Sequence, residues 1–195
     1  MRVTMKRTAT LALTATFLST AALVGYPGIG VAQEKSVTVG GAPMYPSKNI
    51  VENAVNSKDH TTLVTAVKAA GLVDTLASPG PFTVFAPTNA AFSKLPAGTV
   101  ETLVQPQSKS MLTSVLTYHV VPGRYTSRDL MAAVKQGGGQ AMLKTAQGGT
   151  LTVLPGRSGK SLFVSDAKGN TSRVTIADVM QSNGVIHVVD TVVMP

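Results

Sequence analysis

The chain contains no cysteine and no tryptophan among its 195 residues. Without cysteine it forms no disulfide, so outside a reducing compartment its stability must come from packing. Cysteine nucleophiles, thiolate metal sites and a lipid-modified N-terminal cysteine are excluded as well. Charged residues are only 13% and aromatic residues 5% of the chain. Beyond Arg7 the lysines and arginines are scattered singly, with few aromatics beside them. A nucleic-acid footprint is a clustered basic stripe, so no nucleic-acid partner is expected.

Long apolar runs are also scarce. The one candidate, "TATLALTATFLSTAALVG", follows the basic "MRVTMKR" and precedes "YPGIGVAQ". It is short and rich in Thr and Ala for a stable membrane span, which needs about 20 predominantly apolar residues. A basic start, an apolar middle and the small residues Gly30 and Ala32 before Gln33 have the layout of a secretory signal peptide. Residues 1–32 are therefore expected to be removed, leaving 163 residues from Gln33 to Pro195. Losing Arg2, Lys6 and Arg7 takes the net charge from +8 to +5. That length suits one domain. The expected organisation is a leader at 1–32, an extended and loosely held lead at 33–48, and one domain at 49–195.

Periodicity divides the domain in two. "NIVENAVN" and "DHTTLVTAVKAAG" carry apolar residues at helical spacing, the latter with Asp59 as cap and Gly71 as stop. "PFTVFAP" is a short β-prone run, after which Thr88 caps a helix through Phe92 and Leu95. "PAGTVETLV" and "QSKSMLTSVLTYH" read as further helices, "VVPG" as a strand entering a turn, and "SRDLMAAVK" as one or two helical turns. From there short strand candidates follow: "AMLKTA", "TLTVLP", "SLFVSD", "SRVTIAD", "GVIHVVD" and "TVVM". Gly-rich turns separate them, which suggests an antiparallel sandwich or barrel. A helical first half and a β-rich second half make the class α+β.

Chemistry-bearing residues are few. "GRSGKS" (156–161) ends like a phosphate loop, but Leu154 stands where the first glycine belongs and a strand follows, so a hairpin turn is expected. His60, His119 and His187 share no metal-ligand spacing, and no serine elbow is present, so neither a metal nor a catalytic residue nor a cofactor is assigned. In "VIHVVD", Val185, His187 and Val189 share one strand face and Ile186 and Val188 the other, as in a central strand buried on both sides. Tyr118 and His119 close an apolar helical stripe, where they fasten the helical half to the β half. His119 also meets the negative end of the helix dipole.

"FTVFAPTNAAF" (82–92), "YHVVPG" (118–123) and "SNGVIHVVDTVVMP" (182–195), in that order, resemble the motifs of the fasciclin domain family. Together with "GGAPMYPSKNIVENAV" they are similar to small single-domain fasciclin proteins exported by bacteria. The resemblance implies a wedge of antiparallel β-strands with helices packed along it. It implies a secreted, extracellular or periplasmic protein acting in cell adhesion or protein recognition, not an enzyme. Recognition regions of animal members fall here on Tyr118 and His119, and on Asp178, Val179 and Met180. The two residues before that aspartate, Ile176 and Ala177, depart from the family pattern. The expected partner is a cell-surface or matrix protein or polysaccharide, bound by a monomer that is not inserted in a membrane. The alternative is a carrier for a small apolar ligand held between the helices and the β wedge.

Overall fold

The computed structural model describes residues 36–157, 159 and 161–195, all within one compact unit, Gln33–Pro195. The leader expected at 1–32 and its cleavage point lie outside the described residues. A hairpin of β1 (Val37–Val39) and β2 (Ala42–Met44) leads into helices α1 (Ile50–Ala54), α2 (Thr61–Ala70) and α3 (Val73–Ala77). Strand β3 (Phe82–Pro87) precedes α4 (Asn89–Phe92), α5 (Thr99–Leu103) and α6 (Lys109–Tyr118). Then come β4 (Val120–Pro122), α7 (Ser127–Gln136), β5 (Ala141–Lys144), β6 (Thr150–Pro155), β7 (Leu162–Ser165), β8 (Thr171–Gln181) and β9 (Gly184–Val189).

One seven-stranded sheet runs β4-β3-β9-β8-β7-β6-β5. Its strands alternate between two cores. Val84 and Ala86 of β3, with Ile186 and Val188 of β9, face α2 and α6 through Leu63, Val67 and Leu116. Phe85 and Val189 point the other way, into a second core with Leu130 and Val134 of α7 and Val153 and Val164 of β6 and β7. Every residue of β9 is buried, as its unbroken apolar run requires at the centre of a covered sheet. The sheet curls far enough that Ala146 N–H, just beyond β5, donates to Val120 O of β4 at 2.7 Å.

The α+β division stands, with local corrections. The sheet is mixed: β3 and β9 are parallel, because helices and strands intervene between them and bring the chain back in the same direction. "TVVM" is not a strand. The amides of Thr191, Val193 and Met194 go instead to Ser172 Oγ, His119 Nε2 and Asp166 Oδ2, leaving no ladder to form. Asp59 does not cap α2: it lies inside a 3-10 turn, Lys58–His60, that winds straight into the helix. Helix α7 is ten residues long rather than one or two turns, held by a capping box between Thr126 and Asp129. Helix α3 has no counterpart in the sequence reading. The segment before Asn49 is neither simply extended nor loose. Its hairpin places Val39 and Met44 in the helical core, and Gly40, at φ 58°, passes so close to Ser57 Oγ that a Cβ there would sit 2.4 Å away. The expected hairpin turn after Pro155 is present: β6 and β7 pair antiparallel, and Gly156 N–H donates to Ser161 O at 2.7 Å in the connection between them.

Candidate recognition site

The Tyr118-His119 pair lies where α6 ends. Tyr118 is 1% exposed and its hydroxyl donates to Thr150 O at 2.7 Å. Its ring lies against Gly149, where a Cβ would stand 2.8 Å from Cε2. Tyr118 thereby holds α6 to the turn between β5 and β6, and burial raises the pKa of its phenol. His119, 3% exposed, has Nδ1 2.8 Å from Val115 O, a carbonyl that α6 leaves open at its C-terminus. Nε2 accepts from Val193 N–H at 3.2 Å. Those partners fix the neutral ring with its proton on Nδ1, and burial pushes its pKa down to about 4.

The Asp178-Val179-Met180 segment sits at an irregularity of β8, where the register against β9 shifts between Ile176 and Val179. Asp178 has φ 58°, a conformation Asp tolerates better than most residues. The turn of backbone aims its carboxylate at the first residue of α7, where it accepts from Ser127 N–H at 2.6 Å and from the Ser127 hydroxyl. Asp178 N–H in turn points to His187 Nδ1 at 3.4 Å, and His187 Nε2–H donates to Tyr125 O at 2.9 Å. The His187 ring stacks on Phe85 with centroids 5.6 Å apart, and desolvation lowers its pKa. Val179 is 1% exposed and belongs to the helical core; Met180 is half-buried.

The five residues singled out from sequence therefore split. Tyr118, His119 and Val179 are interior, whereas Asp178 and Met180 line an open groove of about 660 Å³. Its other walls include Val37 and Met44 of the hairpin, Pro46, and Arg124. The Arg124 guanidinium is fixed there by donating to Gln181 O at 3.3 Å and Ser182 O at 3.2 Å. Sequence reasoning missed Arg124 and the hairpin, because neither shows periodicity. It also missed the amide ties beneath them. Asn183 accepts from Ile50 N–H at 3.0 Å and donates to Leu76 O and Ser78 O at 2.8 Å. The Asn183-Gly184 turn was the available signal.

Among the described residues, Ser57 Oγ and His60 Nδ1, 2.8 Å apart, form a serine-histidine hydrogen bond, but both are buried and the Gly40 backbone covers the serine. Among the same residues no group of His, Asp and Glu gathers as a metal site, and no helix is long and apolar enough to cross a membrane.

The curled mixed sheet with helices on both of its faces is the FAS1 fold. The solved FAS1 domain pair from the insect cell adhesion molecule Fasciclin I matches it with a TM-score of 0.66 at 19% identity, covering 82% of this chain and 57% of that one. The Fasciclin domain pattern matches residues 58–195, and the chain belongs to that family. It is 45% identical over 178 residues to Protein sll1483 of Synechocystis, covering 88% of this chain and 89% of that protein. It is 42% identical over 147 residues to Immunogenic protein MPB70 of Mycobacterium bovis, covering 73% and 66% respectively.

Proposed function

We propose that the protein is a secreted, non-enzymatic recognition module that seats an extended segment of a cell-surface or matrix protein in the groove between the hairpin and β8. The observation that carries this reading is the groove itself. Asp178 and Met180 reach it, apolar surface comes from Val37 and Pro46, and Arg124 supplies a cation already held in place. A partner carboxylate would meet that guanidinium with little ordering cost, since its orientation is preset. The adhesion role named for the insect molecule agrees with this use. A carrier for a drug-sized apolar ligand needs a pocket of roughly 300–1,000 Å³. The apolar cavity beneath the helices measures about 60 Å³, which favours recognition over carriage.

The test is binding of purified Gln33–Pro195 to separated surface and matrix proteins, repeated with Arg124→Glu, Met180→Lys and, as a distant exposed control, Met111→Lys. The first two should weaken binding by more than any accompanying fall in melting temperature explains, and the control should not. Binding that survives both groove variants would sink the proposal.

A further inference from the structure

Strands β5 to β8 form a meander with two unlike faces. Leu143, Leu151, Val153, Leu162 and Val164 point into the core that α7 covers. By alternation Met142, Thr152, Leu154 and Phe163 point the other way. The helical core on that side draws on β3, β8 and β9 but on no residue of β5, β6 or β7, so among the described residues no helix lays its apolar stripe on this face. Met142 is 69% exposed, and Leu154 and Phe163 are half-buried. The Phe163 ring is braced on the turn between β6 and β7, where a Cβ on Gly156 would stand 3.2 Å from its Cε2.

Strand register gathers cations here that are far apart in sequence. Arg173 of β8 pairs with Phe163, which pairs with Leu154. Lys144 lies two residues beyond Met142 on the same exposed side of β5. Arg157 and Lys168 are exposed in the turns at opposite ends of β7. No carboxylate answers these four. The sequence has no Asp or Glu between Asp129 and Asp166. Asp166 is buried and accepts from the amides of Lys168, Asn170 and Met194. Asp190 accepts from Arg173 N–H at 2.9 Å, but its ion pair is with Lys94, the one ion pair among the described residues.

These features choose among occupants. A second copy of the chain would set cation against cation. A bilayer takes apolar side chains that stand out of the surface, and on this face only Met142 does. A polymer of acidic sugars matches the whole face. Its charges meet spaced, unpaired cations, its C–H surfaces lie on Phe163 and Leu154, and its hydroxyls meet exposed Thr150 and Thr171. We infer that this face binds a carboxylated polysaccharide laid across the strands, with carboxylates on Arg173 and Lys144 and sugar rings on Phe163 and Leu154. The face is separate from the groove and does not depend on the reading given for it.

The probe is an oligogalacturonate. Its methyl ester serves as the uncharged analogue, and polyglutamate as a polyanion without sugar rings. Each is titrated into isotopically labelled Gln33–Pro195 at low salt and followed by NMR. Saturable shifts are expected with the oligogalacturonate at the Met142 methyl and the Phe163 ring, while the Met111 methyl on α6 stays silent. Lys144→Gln and Arg173→Gln together should weaken its binding about tenfold, the size of one charge-assisted hydrogen bond. Lys68→Gln, which removes an exposed charge on α2, should change it by less than about twofold, since distant surface charges are screened. Phe163→Thr should cut the preference for oligogalacturonate over polyglutamate about threefold. If that variant fails to fold, the charge variants and the three probes carry the test. Equal affinity for the methyl ester, polyglutamate bound as tightly as the sugar, or a Lys68→Gln loss equal to that of the double variant overturns the inference. So does tighter binding to phosphatidylglycerol vesicles than to the oligogalacturonate.

Discussion

Replacing His119 with alanine removes a ring that closes two buried hydrogen bonds at once. Val115 O loses the donor that satisfied it beyond the end of α6, and Val193 N–H loses its acceptor at a fully buried position. Each stranded group costs about 1–3 kcal/mol, and a cavity adds to that. Partial relaxation offsets some of it, so the expected loss is about 3 kcal/mol. In a domain of this size each kcal/mol moves the melting midpoint by about 2–4 °C, which puts the shift near 10 °C. The chain has no tryptophan, so urea unfolding is best followed by far-ultraviolet circular dichroism. The slope with urea should stay constant, showing that stability changed and not the unfolded state. Any loss of partner binding should then track the unfolded fraction and return under stabilising conditions. A His119→Ala protein within about 0.5 kcal/mol of wild type would refute the clasp reasoning, because that is the range of ordinary surface changes.

Acid should destabilise the fold well above the carboxylate range. His119 titrates near 4 when folded against 6.5 when unfolded, so its contribution of about 3 kcal/mol is full above pH 6.5 and is lost as pH falls toward 4. Burial lowers His60 and His187 in the same direction, whereas Asp129, Asp166 and Asp190 are held below 3.8 and act at lower pH. Unfolding free energies that stay flat between pH 6.5 and 4.5 would contradict the neutral buried rings. Tyr118→Phe should cost about 1 kcal/mol through the lost bond to Thr150 O, measured by the same urea series. Asp178→Ala should be less stable than Asp178→Gly by about 1 kcal/mol, since both lose the tie to Ser127 but only alanine keeps the left-handed strain. Equal melting temperatures for the two would remove the strain from that account.

Much of the fold was readable because it depends on local chemistry. Thr88 accepts from Ala91 N–H, Gly71 closes α2 in the left-handed region, and the alternation along β9 separates two cores as spacing requires. What was not readable depends on partners distant in the chain. The tail at Val192 and Val193 looks like a strand until its amides find His119, Ser172 and Asp166. Nothing near Gly40 announces that Ser57 lies beneath it. The site was half legible: the inward place of Tyr118 and His119 follows from their position on the apolar stripe of α6, but neither the burial of Val179 nor the place of Arg124 in the groove shows in the sequence.

The parallel pairing of β3 with β9 constrains the order of assembly. Residues 82–87 and 184–189 lie side by side in the interior of the sheet, separated by most of the domain in sequence. A chain delivered from its N-terminus by a ribosome carries β3 for about a hundred residues before its parallel neighbour emerges. Until then the helical core lacks Ile186 and Val188, and Val193 has not reached His119. The pairing of β3 with β9 therefore cannot form midway through synthesis.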